Sequence, residues 1–426
     1  VKVILWVVLA ALALPVWADT TAIVGGTLAI GDGSQPIPNG TVIFKDGRIV
    51  ASGADVTVPP GVTVVDAHGK WISAGLISGF TQLGIGSYSR VTGLNDASAA
   101  SSSVAAAIDI SSAVNPEDAP LQVDRAAGIT RALVSPSASK SIFGGQGAVI
   151  DLGSDLEIVT VPRAFQYVEL GERAQDLAGG SRPAAYAYFH EALSEAREYE
   201  HGSAPKPEWR PMLTRDDAAA LVPVLEGKQP LLVHVNRASD ILEVLSLKQR
   251  YPRLRIILLG ADEGWRVARE IAAAHVPVIA SVSDLPDTFD SLAATESNVG
   301  RLTRAGVTVA LSSQGFYLET YLRQQAARLV AITRVPGATG LDWGEAFATI
   351  TSKPAEALGL ASDIGSLRPG RRADLVLWDG DPLEAASGVL AVYIDGKLQP
   401  LDNHLTRLRD RYREPRPMAL PKAYSR

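Results

Sequence analysis

The run Thr349–Glu384, TITSKPAEALGLASDIGSLRPGRRADLVLWDGDPLE, decides the architecture. Its first half has helical spacing. Pro354 breaks it and can open a second helix after Thr351 or Ser352, since proline is tolerated in a first turn. Gly365 and Pro369-Gly370 then bend the chain. Ala373–Trp378 is an apolar strand, and Asp379-Gly380-Asp381-Pro382 a turn. A helical layer therefore hands the chain over to a β layer.

Outward from this run the same β texture recurs. Val392–Ile394 leads into Asp395-Gly396, a hairpin signal. Far upstream, residues 21–66 also read as β, with Thr41–Phe44 and Arg48–Ala51 flanking the turn Lys45-Asp46-Gly47. Strands from opposite ends of the chain can share one small β-sandwich. Between them the period changes. Leu231–Val235, Arg255–Leu259, Val276–Ala280 and Val307–Ser312 are short buried strands. Asp240–Arg250 (capped by Ser239), Trp265–Ala274 and Asn298–Ala305 are helical. Strands alternating with helices indicate parallel βαβ units, so the fold class is α/β. The expected architecture is a (β/α)8 TIM-like barrel over 73–363, with a β-sandwich built from 19–72 and 364–408 and a charged tail over 409–426. A doubly wound open sheet is the alternative. The Ser/Ala-rich run Ala97–Ala107 reads either as a linker or, over Val104–Ile110, as a helix.

Composition narrows the function. The chain has 426 residues, 46% of them apolar, no Cys, six His and a net charge of -6. Without Cys there are no disulfides, thiolate metal sites or thiol nucleophiles. An acidic balance argues against nucleic acid. Lys2, the apolar run Val3–Leu14 and the small residue Ala18 form a secretory signal over 1–18. The run spans about 18 Å as a helix, too short for a bilayer core of about 30 Å. The expectation is a secreted, periplasmic protein with no membrane contact beyond that signal.

The chain resembles the amidohydrolase superfamily, in its secreted imidazolonepropionase-like branch. The motifs are the Pro-Ala, Gly-Leu, Ile-Gly-Ser-Leu, Pro-Gly, Ala-Asp-Leu-Val and Gly-Asp-Pro elements of Thr349–Glu384. Asp66-Ala67-His68-Gly69-Lys70 leading to Gly75-Leu76, Gly128-Ile129-Thr130 and Gly144-Gly145-Gln146-Gly147 add to them. The resemblance runs from about residue 23 to about 412. It implies hydrolysis of C–N bonds in non-peptide amides or dipeptides. One or two divalent metals such as Zn, at the C-terminal ends of the barrel strands, would activate water, and an Asp would shuttle the proton.

The ligand types that the resemblance implies are missing. The first strand normally ends in His-x-His, and Phe80 and Gln82 stand there. Asn236 falls on the fifth-strand His position, Leu259 on the sixth-strand His, and Gln314 on the eighth-strand catalytic Asp. Phe and Leu offer no lone pair, and a neutral Gln amide is a poor zinc ligand. No metal or other cofactor is therefore expected. His234 shares the parity of Asn236 and can face the barrel interior. With Arg237, Asp284 and Asp287 it makes up the possible pocket residues.

Other features read blandly. His68 precedes the first barrel strand, as a linker or surface residue would. His190-Glu191 opens like a helical zinc motif, but Ser194 stands where the second ligand should be. Tyr186, Phe189, Leu193 and Ala196 form an amphipathic stripe. Asp284, Asp287 and Asp290 could hold a hard cation, though helix-capping or solvated carboxylates are commoner. Gly144–Gly147 reads as a turn or β-bulge. The basic tail Arg407–Arg416 reads as a solvated segment able to pack on a neighbour.

Two functions follow. One is a pseudoenzyme with a degenerate metal site. It would bind a small molecule in the barrel mouth, or act as a partner subunit in a homo-oligomer or beside an intact homologue. The other is an active amide or dipeptide hydrolase with a rearranged site using His234 and loop carboxylates.

Overall fold

The computed structural model describes residues 20–86, 95–202, 211–283, 286, 288–313 and 319–413. The signal segment 1–18, Asp284, Asp287, Gln314 and the last part of the charged tail lie outside the described residues.

The N-terminal segment supplies β1 (Thr20–Ala29), β2 (Ile37–Lys45), β3 (Arg48–Gly53), β4 (Thr63–Asp66) and β5 (Trp71–Ala74). The barrel strands are β6 (Leu76–Thr81), β7 (Ile129–Val134), β8 (Phe143–Asp151), β9 (Val159–Glu169), β10 (Leu231–Val235), β11 (Ile256–Gly260), β12 (Val278–Ala280) and β13 (Val309–Leu311). β14 (Leu375–Trp378), β15 (Val389–Ile394) and β16 (Lys397–Leu398) close the chain's β structure. The helices are α1 (Ala119–Ala126), α2 (Ala174–Leu177), α3 (Arg182–Glu200), α4 (Arg215–Leu225), α5 (Ala238–Arg250), α6 (Ala268–Ala273), α7 (Asn298–Arg304), α8 (Leu322–Ala331), α9 (Trp343–Ala348), α10 (Ser352–Leu358) and α11 (His404–Arg413).

Strands from both ends of the chain share one sheet, ordered β16-β15-β14-β5-β1-β2-β3, with β4 also beside β1. Both expected hairpins form. Asp46-Gly47 and Asp395-Gly396 hold the paired positive φ angles of a tight hairpin turn. The sheet curls on itself. Phe44 of β2 meets Tyr393 of β15 edge to face at 5.4 Å, and Arg48 bridges to Arg372. The curl encloses a core that includes Ile23, Leu28, Val42, Phe44, Ile72 and Leu375. β5 belongs to this sheet, so the barrel proper begins at Leu76.

The second sheet is a nearly closed eight-stranded barrel, ordered β13-β12-β11-β10-β9-β8-β7-β6. Its ends meet where Gly79 approaches the Leu311 carbonyl. A Cβ on Gly79 would lie 2.6 Å from that oxygen. Seven strands run one way and β8 runs against both neighbours. The reason is length. The links 135–142 and 152–158 are too short for a crossover helix, which needs about ten residues or more. The Gly144–Gly147 run lies in β8 and carries register shifts, as a bulge does. Gly147 lies flat against Phe165, with room for no side chain.

The barrel interior is filled, not hollow. Ile77, Leu133, Phe165, Leu232, Ile257 and Ile279 pack there, and Ala355 and Leu358 of α10 plug the end where the strands begin. Barrel and sheet are riveted together by Arg131 of β7. Its fully buried guanidinium bonds Asp374 (2.6 and 3.2 Å) and Asp395 (2.9 Å), with Asp151 at 4.0 Å.

One local expectation fails, and one of two open readings drops out. Ser239 does not cap α5. The cap position is Arg237, and Ser239 lies exposed inside the helix. Val104–Ile110 is irregular, because Asp217 holds the Ala105 and Ala107 N–H groups at 2.8 Å and takes them from any helix.

Candidate functional site

The mouth of a barrel is the end to which its parallel strands point. Here β9 ends in Glu169 and β10 in His234-Val235, paired in register, with Leu259 of β11 opposite His234 on the other side. His234 Nδ1 lies 2.9 Å from both Glu169 carboxylate oxygens. The Gly171 N–H (2.9 Å) and the Tyr167 hydroxyl (3.2 Å) also donate to that carboxylate. Glu169 is only 2% exposed, whereas the His234 side chain keeps 28% of its surface, so one edge of the imidazole reaches the mouth.

Electrostatics make this an ion pair. Burial alone would raise the Glu169 carboxyl, but the His234 charge, its hydrogen bond and the Gly171 N–H outweigh burial and hold it below the ordinary range. Burial alone would lower His234, but the Glu169 charge and hydrogen bond outweigh it, and Asp262 adds, so the imidazole is raised. Burial and the neighbouring carboxylate push the Tyr167 phenol well up.

Around this pair the expected ligand positions carry other contacts. Phe80 is half-buried and tilts against Tyr167 at 6.0 Å. Gln82 donates to the Ser137 hydroxyl at 2.5 Å. Leu259 is 4% exposed and packs into the barrel interior. Asn236 lies across Gly260, and its Oδ1 has no partner among the described residues. Arg237 turns to its own helix and binds Asp240 at 2.6 Å. Asp240 also receives Arg182, which in turn pairs with Asp290. Asp290 is thereby engaged by a cation that it shares with Asp240.

Glu169 escapes a reading of ligand positions because the fourth strand lacks a motif to align. Its signal was parity: Phe165, Tyr167 and Glu169 share one face of β9. The bland readings of the remaining residues agree with their surroundings. His68 is exposed and pairs with Asp66 at 2.5 Å. Phe189, Leu193 and Ala196 are buried on α3.

These residues do not fit a catalytic metal. Among the described residues no group of three or more His, Asp or Glu side chains converges to hold one. The single imidazole at the mouth already faces a carboxylate.

Comparison with known proteins gives the class. The amidohydrolase family model matches residues 255–399. The chain is 22% identical over 415 residues to amidohydrolase tasK of Hapsidospora irregularis, covering 89% of this chain and 41% of that protein. It is 23% identical over 400 residues to an imidazolonepropionase of Ruegeria pomeroyi, covering 83% and 92% of the two chains. The crystal structure of an amidohydrolase from Thermotoga maritima shares the fold, with a TM-score of 0.78 at 22% identity, over 89% of this chain and 99% of that one. Over most of its length this chain is similar to amidohydrolases and shares their fold. It spans less than half the length of the tasK protein and nearly all of the imidazolonepropionase.

Proposed function

We propose that this amidohydrolase-superfamily chain does not hydrolyse C–N bonds by a metal route, and instead binds a small organic molecule in the barrel mouth. The observation that carries this is the strand-end set Phe80, Gln82 and Leu259, which leaves His234 alone, clasped by Glu169. The Glu169 carboxylate favours the protonated imidazole, and in that form both ring nitrogens donate hydrogen bonds. With Phe80 and Tyr167 beside it, the mouth suits a molecule with an apolar body and an acceptor group for the imidazolium. Export to the periplasm through residues 1–18 belongs to the same proposal.

Elemental analysis of protein made in metal-supplemented medium tests it. The expected result is less than a tenth of an equivalent of Zn, Mn or Ni, as an order-of-magnitude bound. Near-stoichiometric metal at the mouth overturns the proposal. Metal-free hydrolysis of N-acyl amino acids or dipeptides, lost in His234→Ala, also overturns it and favours a rearranged hydrolase built on the His234–Glu169 pair. Co-purification from the native host with a homologue that keeps His-x-His assigns the role of partner subunit instead.

A further inference from the structure

We propose that the outer wall of the barrel carries a second site, which takes the zwitterionic end groups of an α-amino acid or short peptide. The layer between the barrel strands and their helices is largely apolar, filled by residues such as Ile150, Val168, Leu231, Leu221 and Val224. Three neighbouring glutamines stand out in it. Gln146 of β8 and Gln166 of β9 lie opposite each other in register, and Gln229 stands just before β10. They are 7%, 0% and 5% exposed. Gln229 Nε2 donates to the Arg163 carbonyl (2.8 Å) and to Gln146 Oε1 (3.1 Å). Gln229 Oε1 and both amide atoms of Gln166 have no partner among the described residues. Buried amide atoms left unpaired are costly, so those of Gln166 and Gln229 call for a reason.

A cavity of about 550 Å³ lies between this row and α4. Gln146 and Gln229 line it, and exposed Arg163, Lys228 and Asp216 line it too. Arg163 holds a φ of 49°, a left-handed conformation rare for a non-glycine residue. The Gln229 amide on its carbonyl helps fix that backbone, and so the place from which the guanidinium extends. Arg163 also approaches Asp109 at 3.8 Å, and Lys228 pairs with Glu226 at 3.0 Å. In both pairs the cation is exposed, so it can turn to a ligand at little cost.

The chemistry selects the ligand. A simple anion would leave Asp216 unanswered, and a simple cation would meet Arg163 and Lys228. A molecule with a carboxylate, an ammonium and an amide satisfies both charges and the glutamine floor. The site is separate from the mouth, because Gln229 lies where β10 begins and His234 where it ends.

Calorimetric titration of the full chain with L-glutamine, L-alanyl-L-glutamine and the doubly capped N-acetyl-glutamine amide tests this. One of the two zwitterions is expected to bind at 1:1 with a dissociation constant below about 1 mM. The tighter one decides between amino acid and peptide. The capped compound should bind at least about tenfold more weakly, and Arg163→Gln and Asp216→Asn should each weaken the zwitterion about tenfold. His234→Ala should leave it unchanged. Equal binding of the capped compound, indifference to both rim substitutions, or no binding of either zwitterion at millimolar concentration overturns the proposal. Binding that His234→Ala alone abolishes also overturns it, and places the ligand in the barrel mouth.

Discussion

At the scale of single residues, the Glu169–His234 pair sets the chemistry of the mouth. Each partner offsets the burial cost of the other, so His234→Ala should leave a buried carboxylate without its cationic partner. We expect a loss of about 3 kcal/mol in urea unfolding near neutral pH. The pH dependence follows from the two shifts. Glu169 is lowered, so its contribution is present above the ordinary carboxylate value and lost as pH falls through its lowered value. His234 is raised, so its contribution is full below the ordinary imidazole value and lost as pH rises through the raised one. The stability difference between wild type and His234→Ala should therefore peak between those limits and shrink on both sides. An NMR titration should find the His234 imidazole protonating above the ordinary histidine midpoint. A midpoint at or below that value would remove the ion pair from the argument. Much of this was hidden in the sequence. His234 could be placed by strand parity, but its partner lies 65 positions away on a strand without a motif, and only the barrel's register joins them.

At the scale of elements, β8 is the informative departure. Short parallel strands with helices between them are legible because burial, length and caps all leave marks in local spacing. An antiparallel strand inside such a series leaves one mark, the shortness of its two links, and glycine obscures the rest. Gly147 is there because Phe165 and the Val134 carbonyl occupy the space a side chain would need, at 2.2 and 2.7 Å from its Cβ position. Gly147→Ala should cost about 2–3 kcal/mol, read from thermal or urea unfolding. Ser239 and Val104–Ile110 misled for a related reason. Capping residues and alanine-rich runs carry real local preferences, and Asp217 overrides one of them from 110 positions away. The hairpins at Asp46-Gly47 and Asp395-Gly396 were legible because their turn type demands those residues.

At the scale of the whole molecule, Arg131 couples the barrel to the terminal sheet. Arg131→Met should cost about 3–5 kcal/mol, since it strips the cation from buried Asp374, whereas Asp395 keeps Arg372. Asp151, at the edge of this cluster, behaves differently. Burial, with the nearby Asp395 and Asp374 charges, outweighs the Gly153 N–H and Arg131 and pushes it up to about 6. A carboxyl raised on folding binds its proton more tightly in the native state, so stability should fall as pH climbs from about 4 to above 6. Asp151→Asn should remove that slope, worth about 2–3 kcal/mol between its ends, in unfolding curves taken across this range. The shared sheet also has a consequence for biosynthesis. Trp378 on β14 bonds Ser73 on β5, 305 positions earlier in the chain. The first strands to leave the ribosome therefore wait, with an unpaired edge, until almost all the described chain has been made. Completion of the sheet is a late event, and until then the open edge of β5 needs protection from other chains.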